Sequence, residues 1–107
     1  MAAQHRRTDS KAEFEQLQAE SNQNRIEFLR NELHLCSTFI TIAETEQRSG
    51  NSEHAAQSRA DAETGYATLL RFTSDPKHAK HITEEQRAEL NAGIARLRAQ
   101  LDALAGQ

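Results

Sequence analysis

The sequence predicts an all-α protein, a three-helix up-down-up bundle with a long first helix and an αα-hairpin joined at Gly50-Asn51. Three observations predict it. The chain is rich in Ala, Glu, Gln, Arg and Leu, with one Pro, four Gly and no Trp, and such residues lose little side-chain freedom in a helix. Apolar residues recur at steps of three and four through three long segments. Only two stretches interrupt that period, Gly50-Asn51 and the run from Ser74 to Ile82, and both have the composition of turns. At 107 residues the chain has the size of a single domain with one modest core. We read residues 1–9 as a flexible tail and 10–107 as one helical domain, with helices at about 10–49, 52–74 and 84–105.

In the first segment Ile26, Leu29, Leu33, Cys36, Ile40 and Ala43 fall on one helix face. Phe28, Leu35, Phe39 and Ile42 form an adjoining stripe, and Glu27, Arg30, Asn31, His34, Ser37, Thr38, Thr41, Glu44 and Thr45 lie opposite. An apolar arc of that width predicts packing against two neighbours at once. Ser10 with Glu13 three residues on is a capping box, which gives this helix its start. It would then span roughly 60 Å against about 33 Å for each of the other two. Its amino-terminal part is expected to overhang the bundle, with Phe14 and Leu17 in water.

Gly50 suits the positive φ that ends a helix, and Asn51 or Ser52 can cap the next. A break of two residues makes the flanking helices antiparallel neighbours. Ala55 and Ala62 share a face with Tyr66 and Leu69, while Ala56, Ala60, Ala67 and Leu70 line the adjoining one. Small residues near the turn permit close backbone approach, leaving Tyr66, Leu69, Leu70 and Phe72 to fill the wider end. Gly65 inside this helix reads as a further concession to close packing. Asp75-Pro76 predicts a turn or a single helical turn, and Thr83 with Gln86 is a second capping box. Leu90, Ile94, Leu97, Leu101 and Leu104 then make a narrow seam that fits one groove.

The segment from Phe39 to Tyr66 resembles one tetratricopeptide-type helical hairpin. Ala43 stands at the small position of the first helix, Gly50 at the turn, Ala55 and Ala62 seven apart on the second helix, and Tyr66 after them. Ser52 and Arg59 occupy places where that pattern commonly has aromatics. The resemblance implies a helical hairpin and a protein-interaction element, and it carries over no binding residues.

Net charge is −3 with both signs interspersed, too weak a field to hold a polyanion, which disfavours nucleic acid as a partner. The lone Cys36 excludes an intramolecular disulfide and reads as a buried, inert thiol. No apolar run approaches the ~18 residues of a membrane span, and MAAQHRRTDSK has no hydrophobic segment of a secretory signal, which together predict a cytoplasmic protein. No nucleophile elbow, glycine-rich phosphate loop or complete ligand set is present, so no catalytic residue, cofactor or metal is expected. The reading is a small non-catalytic helical module that contacts another protein or a second copy of itself. Its candidate surface is Phe14, Leu17 and Phe28. The alternative is a small regulator binding nucleic acid or a metal through His5, Arg6, Arg7 and Lys11 of the amino-terminal region and the Lys77-His81 turn.

Overall fold

The computed structural model describes the backbone of residues 2–106 and the side chains of residues 11–106. Four helices make it up: α1 (Ala2–Arg48), α2 (Ser52–Ser74), α3 (Pro76–Ala79) and α4 (Glu84–Ala105). Among the described residues there is no strand, and the protein is all-α. The backbone of α1 is already helical at Ala2, ahead of the start read at Ser10, and residues 2–9 include neither Gly nor Pro to interrupt it. The side chains of that tail, with His5, Arg6, Arg7 and the Ser10 half of the capping box, lie outside the described residues.

The fourth element is the single turn α3. Asp75 accepts a hydrogen bond from the backbone N–H of Lys77 at 2.9 Å, and Pro76 occupies the first helical position, where a missing N–H removes no hydrogen bond. The other ends match their sequence signals. Gly50 takes φ +81°, and Asn51 Oδ1 accepts from the backbone N–H of His54 at 3.3 Å. At the start of α4 both halves of the capping box form, Gln86 N–H to Thr83 Oγ1 at 3.1 Å and Thr83 N–H to Gln86 Oε1 at 3.0 Å.

α1 packs against both α2 and α4, and α2 against α4. Along the hairpin, Phe28 of α1 meets Phe72 of α2 and Cys36 meets Ala62, so the two helices run antiparallel. Between α1 and α4, Arg30 meets Glu89 and Leu33 lies over Gly93. The core joins Ile26, Leu29, Cys36, Ile40 and Ala43 to Ala62 and Leu69, and closes with Leu90, Ile94, Leu97, Leu101 and Leu104. The whole narrow seam of α4 is buried.

Small residues set the spacing. Ala55 and Ala62 are buried, and a Cβ placed on Gly65 would collide with Cys36 Sγ. On α4 a Cβ at Gly93 would stand 2.9 Å from Leu33 Cδ1. At both points a helix backbone has come close enough for its neighbour's side chain to use the space of a missing methyl group.

Two sequence expectations are corrected here. Leu70 stays 41% exposed and Ala56, Ala60 and Ala67 face solvent, because Tyr66, Leu69 and Phe72 suffice to fill the wide end of the hairpin. The adjoining stripe of α1 is not covered either. Phe28, Leu35 and Ile42 are 42%, 45% and 40% exposed, since α2 and α4 both dock on the Ile26-to-Ala43 face and only Phe39 of the second stripe reaches the core.

Candidate interaction surface

Among the described side chains of α1 the first buried one is Ile26, and every described residue from Lys11 to Ser21 is exposed. The helix therefore projects from the bundle as a bare arm, and the molecule measures 72 × 23 × 17 Å. At 1.5 Å per residue the part of α1 ahead of Ile26 is about 36 Å long, close to the length of α2.

Local side-chain bonds supply what tertiary packing does not. Gln16 donates to Glu20 at 3.2 Å, Gln18 to Asn22 at 3.5 Å, Gln23 to Glu27 at 3.0 Å, and Arg25 to Asn22 at 3.0 Å. Three of these pairs join residues four apart and one joins residues three apart, the spacings at which side chains on a helix meet, and each is worth only a few tenths of a kcal/mol.

Phe14 and Leu17 lie on this arm at 67% and 63% exposure, one turn apart. Phe28 stands about 21 Å further along the helix axis, at the near end of the bundle. Its ring lies 5.4 Å from that of Phe72, which in turn lies 4.6 Å from His78. The three predicted surface residues thus form a line and no single patch. Two residues that the sequence reading assigned to a covered face, Leu35 and Ile42, extend it. Phe14, Ser21, Phe28, Leu35 and Ile42 are each seven residues apart, the repeat of a helix seam that meets a second helix. That interval was present in the sequence, but the period alone does not say which of two adjoining stripes the bundle uses.

Beside this line, Glu32, Leu35 and Phe39 of α1 and Thr64, Gly65 and Thr68 of α2 border a shallow groove with Cys36 at its base. Burial, with the nearby charge of Glu32 adding to it, pushes the Cys36 thiol up to about 11. Such a thiol is not a nucleophile at neutral pH.

The Lys77-His81 turn is structural in part. His78 is packed on Phe72, and its Nδ1 is buried without a hydrogen-bond partner among the described residues. Burial, followed by the charges of Arg25, Lys80 and His78, holds the His81 imidazole below its ordinary value. Among the described residues no three His, Cys, Asp or Glu side chains are grouped to hold a metal ion, and no helix is long and apolar enough to cross a membrane.

Two bidentate ion pairs, both missed in the sequence, brace α4. Arg30 reaches Glu89 at 2.7 and 2.9 Å, and Arg98 reaches Glu63 at 3.0 and 2.8 Å. Arg98 also bonds Asp102 and lies 4.9 Å over the Tyr66 ring. Their partners are far apart in sequence, so nothing local announces them.

No protein-family model matches the chain, and no curated protein or solved structure matches it.

Proposed function

We propose that this chain is a small non-catalytic helical module that makes protein-protein contacts, with another protein or with itself, through the uncovered face of α1. In this reading the three long helices form an up-down-up bundle, its first hairpin is of tetratricopeptide type, and the module works in the cytoplasm. One observation carries the proposal: Phe14, Leu17, Phe28, Leu35 and Ile42 stand in water along a single helix. Scattered exposed apolar residues need no explanation, but an aligned set at helical repeat distances is the usual layout of a docking face. Removing such side chains from water supplies about 25 cal/mol per Å² of apolar surface, which favours a partner there.

Affinity capture from native cells, with wild type beside Phe14→Ser/Leu17→Ser, tests it. The wild type should retain at least one protein, a second copy included, that the variant releases while keeping its bundle intact by circular dichroism. If the two retain the same set, the α1 face is not a docking surface.

A further inference from the structure

Resting on that reading, we propose that the face of α1 is covered by the α1 helix of a second copy, in antiparallel orientation, so that the arm of each copy lies along the bundle of the other. Length supports this occupant. With a two-fold axis near residues 29 and 30, residues 11–25 of each arm, about 22 Å of helix, lie along residues 34–48 of the other copy's α1, and the backbone ahead of residue 11 runs on past its end. In this register Leu17 of one copy packs against Ile42 of the other, with Phe14 beside them, and the two Phe28 side chains flank the axis.

Charge complementarity fixes the direction. In an antiparallel pair the residues flanking the seam meet their counterparts across the axis. Lys11 then faces Glu46, Glu13 faces Arg48 and Arg25 faces Glu32, each twice by symmetry, and Glu27 faces His34. No like charges meet. Glu32, Glu46 and Arg48 have no ion-pair partner within their own chain among the described residues. A parallel pair would set Glu20 against Arg25 but also Glu27 against Glu32, a repulsion repeated on both sides. It would also leave the two arms paired only with each other, away from both bundles. Antiparallel pairing instead seats each arm beside the groove bordered by Leu35, Phe39 and Gly65.

The experiment uses the full-length chain and light scattering after size exclusion over a wide concentration range. Wild type should pass from monomer to dimer as concentration rises, and added salt should weaken the dimer. Arg25→Glu should weaken dimerisation roughly tenfold, since two attractive pairs become repulsive. Adding Glu32→Arg to it should restore the wild-type constant, which Glu20→Arg should not. Ser21→Cys gives a second readout independent of folding strength. In the antiparallel pair two such cysteines lie about 25 Å apart and form no disulfide on mild oxidation, whereas a mixture of Ser21→Cys with Thr38→Cys does. A disulfide between two Ser21→Cys chains, or rescue by Glu20→Arg, overturns the antiparallel arrangement. A strict monomer at all concentrations overturns the second copy as occupant. In that case capture of a different protein through Phe14 and Leu17 would leave the module reading intact, and capture of nothing would end both.

Discussion

Cys36 Sγ lies 3.7 Å from the carbonyl oxygen of Ala62, in the space that a side chain on Gly65 would need. Here the spacing of α1 and α2 is set by a sulfur atom resting on bare backbone, one turn from a buried alanine. It gives the hairpin a fixed thickness that a single methyl group would disturb.

Gly65→Ala should destabilise the fold although alanine is the better helix former. The propensity gain of about 1 kcal/mol is opposed by overpacking of about 1–3 kcal/mol, and urea unfolding should show a net loss of about 1 kcal/mol. In a Cys36→Ala background the same substitution should become neutral or stabilising. Equal effects in both backgrounds would mean that the sulfur is not what limits the approach.

Ala62→Leu should cost about 1–3 kcal/mol, since Ala62 is fully buried at the hairpin interface and a larger side chain must push the helices apart. Thr41→Leu, on the exposed face of α1, should stay within about 0.5 kcal/mol. Thermal melts of the two variants side by side separate the cases, and similar melting temperatures would contradict the interface described.

The Cys36 thiol should react slowly with a thiol reagent at neutral pH and quickly in denaturant. It is 1% exposed and its ionisation is pushed up to about 11, chiefly by burial. Rapid labelling of the folded chain would place the residue outside the core.

Acid should loosen the brace between α2 and α4. Hydrogen bonding to Arg98 holds the Glu63 carboxyl below its ordinary value of 4.5. A carboxyl with a depressed folded-state value contributes stability that is fully present above its unfolded value and is lost as pH falls through the folded one. The melting temperature of wild type should thus decline below about pH 4.5 more steeply than that of Glu63→Gln, with the two curves parallel above it. The side chain is 43% exposed, so solvent screening keeps the difference under about 1 kcal/mol. Curves that stay parallel down to pH 2 would show that this pair adds nothing.

The sequence was most legible where one residue and its near neighbours decide the outcome. Gly50, Asn51, Thr83 with Gln86, and Asp75-Pro76 mark helix ends by local hydrogen bonding, and the leucine seam of α4 has a single apolar stripe, so its buried face admits one answer. Legibility fell where two answers share a period. The stripes led by Ile26 and by Phe28 have the same spacing, and which one is buried depends on where α2 and α4 dock, a property of three helices together. The clamps of Arg30 and Arg98 were invisible for the same reason. Of the candidate surface, the exposure of Phe14 and Leu17 followed from comparing helix lengths, while Leu35 and Ile42 emerged only once the bundle had left them bare.

The unsupported stretch of α1 also governs how the monomer should melt. Helix from Lys11 to Arg25 is held by backbone and short-range side-chain bonds and covers almost no apolar surface, so its unwinding releases little of the hydration that gives unfolding its heat-capacity step. It should fray gradually with temperature, as isolated helices do, while the bundle from Ile26 onward melts in one cooperative transition. Ellipticity will then slope downward well before the calorimetric peak. The heat-capacity increment will match the bundle alone, at about 12–15 cal/mol/K for each of its residues.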